Sequence, residues 1–306
     1  MSYSINLPKD LIQKIREKIS IDFLQLDEQL LNLMNAIENS GIGIIRFMPV
    51  EVTNQQFSSF LNVILEEGLL EIRERVPSTN PHIEFGDTSR YFEVFYITKK
   101  RLLSKEVSPP LLVIERPHPN RGSIESEGIQ FDGKIFGSMS GYSDFPATNI
   151  SIFGAQLFCQ TFGCDLPSIF EWEYCISQLK ITEKESQFYT NEQGELIEIP
   201  PPFGSFIVAD KFYRLLNQKW SEHLNYSQQF LSKVWDWTKN QTSRVHYEDI
   251  RMGRLDSYGS YIVKAVEYNG TSIDTTESLA PSVPSCKRNE GHKPSFRCIY
   301  KSDHST

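Results

Sequence analysis

The stretch Leu166-Pro167-Ser168-Ile169-Phe170-Glu171-Trp172-Glu173-Tyr174 decides how this chain is read. Ser168 and Glu171 stand three apart in front of Trp172, Tyr174 and Ile176, which is the spacing of a capping box. In such a box the Ser168 hydroxyl accepts from the backbone amide three residues on. Glu171 reaches back to the Ser168 amide, and Pro167 keeps the incoming chain extended. A helix over about 168–179 is predicted. A second box, Thr53-Asn54-Gln55-Gln56, opens another helix whose apolar positions Phe57, Phe60, Leu61, Val63, Ile64 and Leu65 run out before Gly68.

Further out lie Glu51-Val52 ahead of the second box, Asn149-Ile150-Ser151 leading into Ala155 to Cys159, Val234-Trp235-Asp236-Trp237-Thr238, and Ser295-Phe296-Arg297-Cys298. In their order and approximate spacing these blocks resemble the successive signatures of the formylglycine-generating enzyme, or sulfatase-modifying factor, family. The resemblance covers roughly residues 42 to 301. It implies an α+β fold related to C-type lectins, with few helices, short strands and much ordered loop. The domain plan that follows is an N-terminal helical extension over 1–41, the family domain over 42–301 and a short tail over 302–306.

In the extension, Leu11, Ile12, Ile15 and Ile19 recur at helical spacing. Asp27 is placed to cap a second segment with Leu30, Leu31, Met34 and Ile37 on its apolar face, and Gly41 stands where a left-handed C-terminal cap is wanted. Such a pair either packs on the domain or serves as an arm for homodimerisation or partner docking. Inside the domain, Tyr91 to Ile97 and Leu111 to Ile114 read as strands, Arg116 to Gly122 as a Pro-rich loop, and Phe188 to Gly204 as a further loop insert.

Charge and motifs exclude several function classes. The formal charge is -8 with no Lys/Arg cluster, so a nucleic-acid partner is not expected. Met1 to Asp10 has no apolar signal core, and no run approaches the roughly eighteen apolar residues of a membrane span, so a soluble, cytoplasmic protein is expected. There is no Gly-x-Ser-x-Gly element and no Gly-rich loop ahead of a helix, which removes the usual signals for serine nucleophiles and phosphate binding.

The resemblance also implies chemistry, and here the chain departs from it. Catalytic relatives hold copper(I) between two close thiolates near the C-terminus and oxidise a substrate cysteine; soft sulfur ligands suit that metal. The matching segment here, about Glu267 to Ser285, contains no cysteine. Ala265-Val266-Glu267-Tyr268 replaces the family's Gly-Gly and Trp, and Ser232-Lys233 replaces a Gly-Asn pair, weakening the structural calcium site the family implies. Family pairings would join Cys159 to Cys298 and Cys175 to Cys286, leaving Cys164 over. Without an export signal, reduced thiols are expected instead.

A different metal remains an alternative. His246 and Glu248 share a face if that segment is a strand, and His118, His223 or His292 would complete an iron site of two imidazoles and one carboxylate. Six histidines scattered through 306 residues produce such a pairing by chance, so surface polar residues are the favoured reading. The His-x-x-x-His-x-Glu pattern of the family's iron-dependent sulfoxide synthases is missing. Trp172, Trp235 and Trp237 coincide with family core positions, Glu171 reads as a helix cap, Glu173 as a buried partner of loop amides or Arg297, and Arg297 as structural.

The C-terminal loops are the expected ligand groove, with Tyr268, Asn269, Asp274, Glu277, Lys287, Arg288, Asn289 and His292 as candidate binding residues. Three readings follow. The first is a catalytically silent module that binds a peptide, a protein or a small polar ligand. The second is an iron-dependent oxidative enzyme acting on a peptide or small thiol. The third is a target-binding protein of the diversified kind found on lectin-like folds. Calcium, in a structural role, and iron are the cofactors in question.

Overall fold

A computed structural model of the chain describes residues 7–25, 42–48, 51–75, 91–97, 109–115, 128–138, 143–144, 146–178, 187–190, 196–199, 234–242, 260–268, 273–281 and 293–303. These form a mixed α+β structure. Its helices are α1 (Lys9–Lys18), α2 (Asn54–Glu66), α3 (Ile152–Thr161) and α4 (Ile169–Gln178). Its first strands are β1 (Leu24–Gln25), β2 (Ile42–Phe47), β3 (Leu70–Arg75), β4 (Tyr91–Tyr96), β5 (Leu112–Glu115), β6 (Ile129–Phe131) and β7 (Phe136–Ser138). The later ones are β8 (Gln187–Thr190), β9 (Leu196–Ile199), β10 (Val234–Thr242), β11 (Ser260–Tyr268), β12 (Ile273–Pro281), β13 (Lys293–Ser295) and β14 (Ile299–Asp303).

Helix α2 is fixed at both ends by local chemistry. Gln56 N donates to Thr53 Oγ1 at 3.2 Å and Thr53 N donates to Gln56 Oε1 at 2.9 Å, closing the capping box. At the far end Gly68 takes φ 68°, a left-handed turn that a glycine adopts without steric cost. The face so presented carries Phe57, Phe60, Leu61 and Ile64, all buried. Phe57 stacks on Phe158 of α3 with centroids 5.8 Å apart, and Phe296 meets Phe158 edge-on at 5.4 Å. Contacts of this geometry add to area burial. They also join three distant parts of the chain in one core.

Helix α1 spends its apolar stripe within the molecule. Leu11, Ile15 and, just past the helix, Ile19 belong to the same core as α2 and α3. Arg16 Nε donates to the Thr161 carbonyl at 2.7 Å, at the C-terminal end of α3 where carbonyls lack helical partners. The ion pairs Lys14–Glu67 and Lys18–Glu66 are exposed and contribute little. The second amphipathic segment, from Asp27 to Gly41, lies outside the described residues.

Three larger sheets organise the strands. Strand β2 runs antiparallel between β1 and β14, with Phe47 opposite both Leu24 and Ile299. Strand β14 continues through Ser302 and Asp303, two residues beyond the domain edge expected at residue 301. A second sheet has the order β12-β11-β10-β13, antiparallel except for the parallel β10/β13 pair. The third is β3-β4-β5, so both strands expected between Tyr91 and Ile114 are present. Expectation and structure part at Phe188 to Gly204. The loop insert expected there contains the hairpin β8/β9, with Phe188 opposite Glu198. Short alternation such as Leu196-Ile197-Glu198-Ile199 is enough to form a ladder once a partner strand is available. The Pro-rich stretch from Arg116 to Gly122 lies outside the described residues.

Helix α3 is locked against β5 by a close approach of backbones. Ser151 Oγ accepts from Gly154 N at 3.1 Å and donates to the Pro110 carbonyl at 2.6 Å. A Cβ at Gly154 would stand 2.2 Å from the Leu111 carbonyl oxygen, where a backbone atom has nowhere to move. We therefore predict that Gly154→Ala lowers stability by about 1–3 kcal/mol, the usual effect of overpacking, in spite of alanine's better helix propensity. Urea denaturation of the two proteins measures it, and equal midpoints would refute the close approach.

Candidate functional site

The most polar part of the interior lies where four segments meet. Arg297, between β13 and β14, is 1% exposed. Its Nη2 donates to Glu51 Oε1 at 2.5 Å and its Nη1 donates to Asp236 Oδ2 on β10. The same Asp236 oxygen accepts from the Trp172 indole Nε1 of α4 at 2.8 Å. One guanidinium thus serves two carboxylates, and the remaining oxygens, Glu51 Oε2 and Asp236 Oδ1, accept no hydrogen bond among the described residues. The cluster carries one negative charge more than its single cation neutralises if both carboxyls are ionised. Burial, together with Glu51 and against the pull of Arg297 and Trp172, pushes the Asp236 carboxyl up to about 7.

Around this cluster α4 is held by charge. Ser168 N donates to Glu171 Oε2 at 2.6 Å and Glu171 N donates to Ser168 Oγ at 3.2 Å, while Asn240 Oδ1 accepts from Ile169 N at 2.8 Å. Glu171 is fully buried and pairs with Lys301 of β14 and, at 3.4 Å, with Lys239 of β10. Burial alone would raise its carboxyl, but the bond from Lys301, the Ser168 amide and the two lysine charges hold it below the usual range. Glu173 was expected to be buried against loop amides or Arg297. Its side chain is instead 46% exposed and accepts from Lys264 Nζ at 2.6 Å. Two positions along α4 from Glu171, it lies on a different side of the helix.

Lys264 of β11 is the cation that the sequence reading did not single out. It is 3% exposed, also faces Glu277 of β12 at 3.6 Å, and its Nζ lies 5.9 Å from the centre of the Trp172 ring. The available signal was a lysine inside the apolar run Tyr261-Ile262-Val263-Lys264-Ala265-Val266, whose burial requires a counter-charge.

The expected groove residues divide. Tyr268 ends β11, and Asp274 and Glu277 lie on β12; nine successive register pairs, from Ser260↔Pro281 to Tyr268↔Ile273, make 273–281 a strand and not a loop. Asn269, Lys287, Arg288, Asn289 and His292 lie outside the described residues, as do His246 and Glu248. Among the described residues no group of three His, Cys, Asp or Glu side chains is placed to hold a metal. Trp172 and Trp237 are fully buried, and Trp237 Nε1 donates to the Ile150 carbonyl at 2.8 Å; Trp235 is 9% exposed.

Among the described residues Cys159, Cys175 and Cys298 are buried and Cys164 is half-buried. Cys159 Sγ and Cys298 Sγ touch at 3.2 Å as free thiols, with Cys175 and Cys164 also unbonded. Burial pushes the Cys159 thiol well above its ordinary range and Cys164 up to about 12. A pair of thiols buried in the core does not fit a copper(I) centre that a substrate has to reach. Cys286, the family-implied partner of Cys175, lies outside the described residues.

Asp236 and Glu171, both buried, differ in how their stability terms depend on pH. The folded-state pKa of Asp236 lies above its ordinary value of 3.8, so folding takes up a proton and stability falls as pH rises from about 4 towards 7. Glu171 is held below its ordinary 4.5, so its contribution is present above that value and lost on acidification below it. We predict that Asp236→Asn, which keeps an acceptor for Trp172 and Arg297, flattens the decline in melting temperature between pH 5 and 7. A variant with the wild-type slope over that window would show that Asp236 does not take up the proton.

No curated protein and no solved structure matches the chain significantly. The family model for the sulfatase-modifying factor enzyme 1-like domain matches residues 42–276, from the first residue of β2 into β12. By that match the chain belongs to the sulfatase-modifying factor enzyme 1-like family.

Proposed function

We propose that this chain is a catalytically silent member of its family, a cytoplasmic binding or interaction module on a C-type-lectin-like scaffold. Its ligand is a peptide, a protein surface or a small polar molecule, held along β11, β12 and the segment that follows to His292. One observation carries the reading. The segment Glu267 to Ser285, which corresponds to the family's thiolate pair, has no cysteine, and nine of its residues are committed to a regular ladder with β11. Strand pairing fixes the backbone that copper chemistry would need to fold around a metal. What the segment offers instead is hydroxyls and carboxylates, Asp274, Thr275, Thr276, Glu277 and Ser278, on a rigid frame.

The touching thiols of Cys159 and Cys298 do not substitute. Cys159 and Cys298 are 1% and 0% exposed, so neither metal nor substrate reaches them without opening the core. The charge clusters on α4, β10 and β11 read on this proposal as the supports of a binding frame.

Elemental analysis tests the reading. Protein purified without affinity metals, then incubated anaerobically with iron(II) or copper(I) and desalted, is expected to retain no stoichiometric redox metal and to consume no dioxygen with a cysteine peptide. One redox metal per chain, lost in His246→Ala, would make the protein an oxidative enzyme and overturn the proposal.

A further inference from the structure

We propose that the outer side of helix α4, with Glu277 of β12 beside it, is a docking surface for a basic side chain carried by a partner protein. The inference rests on the binding-module reading and names the partner chemistry for it. Phe170, Glu173 and Tyr174 follow one another at i, i+3 and i+4, so they share one side of α4. Glu171, Trp172 and Cys175, on the other side, are fully buried. Phe170 is 40% exposed, and its ring meets that of the half-buried Tyr174 with centroids 6.5 Å apart and 42° between the planes. A single exposed hydrophobic side chain is ordinary. This one belongs to a ring pair that stands beside exposed charge.

That charge does not balance within the chain. Lys264 Nζ meets Glu173 at 2.6 Å and Glu277 at 3.6 Å, and the β11/β12 register sets Lys264 directly opposite Glu277. The lysine side chain is 3% exposed, whereas those of Glu173 and Glu277 are 46% and 61% exposed. Its ammonium is also held 5.9 Å from the centre of the Trp172 ring. One buried cation thus lies beneath two carboxylates that face water, and with both ionised the surface above it keeps one negative charge.

An incoming cation answers both features. The faces of the rings attract it, and the surplus carboxylate accepts its hydrogens. A guanidinium does this better than an ammonium, because it is planar, less strongly hydrated and able to stack on a ring while it donates sideways. The formal charge of -8 draws a basic partner from a distance, while a second copy of this acidic chain approaches against repulsion.

The test uses the full-length protein carrying isotope-labelled phenylalanine and tyrosine, with the Phe170 and Tyr174 amide signals assigned by their loss in Phe170→Leu and Tyr174→Leu. Acetyl-arginine methylamide, a side chain presented as a partner chain presents it, is expected to move both signals saturably in an NMR titration, and less so at high salt. The citrulline counterpart, of the same shape without the charge, should bind several-fold more weakly. Glu277→Gln is expected to keep the wild-type melting temperature and to lose up to about fivefold in affinity, the upper range for an exposed ion pair. Phe170→Leu, followed through Tyr174, should lose about two- to fivefold, as removal of an exposed cation–π contact does.

Signals that do not move, citrulline binding as well as arginine, or affinity unchanged in both Glu277→Gln and Phe170→Leu overturns the proposal. Free arginine binding more tightly than the capped form also overturns it, since the site would then be one for the amino acid. So does concentration-dependent dimerisation lost in Phe170→Leu, which would make a second copy the occupant. Failure of this surface alone leaves the protein free of redox metal and dioxygen uptake. Failure of the broader reading shows instead as retained redox metal, whatever the arginine titration gives.

Discussion

The buried charge cluster where four segments of the chain meet depends on one guanidinium. Arg297 is buried between Glu51 and Asp236, and Asp236 in turn accepts from Trp172. A buried ion pair is no certain gain over apolar packing, because desolvation offsets most of the attraction. Removing one partner is costly, since a charge is then left in the core without compensation. The triad therefore works more as a condition on assembly than as a source of stability. Strand β10, helix α4, the segment before α2 and the turn into β14 must all be in place before the whole cluster is satisfied.

The aromatic core and the second layer of charge follow from that arrangement. Phe296 precedes Arg297, so the residue that points its neighbour into the charge cluster also closes the Phe57–Phe158 stack. Lys301 follows on β14 and pairs with Glu171, the acidic member of the capping box of α4. Three residues within one short C-terminal stretch thus set the aromatic core, the charged core and the position of the helix that covers β11.

How much of this could be read from the residues depends on the range of the interaction. The two capping boxes are local, and both helices appear where their Ser/Thr and Glu/Gln spacing places them. Strands with four or more apolar or aromatic residues, such as Tyr91–Tyr96, are legible for the same reason. The hairpin β8/β9 was not, because each strand has only four residues and pairing decides the outcome. The candidate site was legible in part. The missing cysteines are visible directly, and Glu277 stands among the candidate groove residues. Lys264 was missed because a lone lysine in an apolar run reads as a sheet face until a structure supplies Glu173, Glu277 and the Trp172 ring around it.

The pairing of β2 with β14 bears on how the chain reaches this structure. Ile45 is opposite Lys301, and Glu51 waits for a guanidinium 246 residues further on. Contacts of such separation carry a loop-closure cost before they return any stabilisation, and folding slows accordingly. During synthesis the carboxylates of Glu51 and Asp236 and the inner face of α2 exist long before Arg297, Phe296 and Ile299 are made. Until those residues arrive the nascent domain presents an apolar face and two uncompensated acids, so its assembly is governed by the last segment to emerge and its dependence on chaperones should be concentrated in that interval.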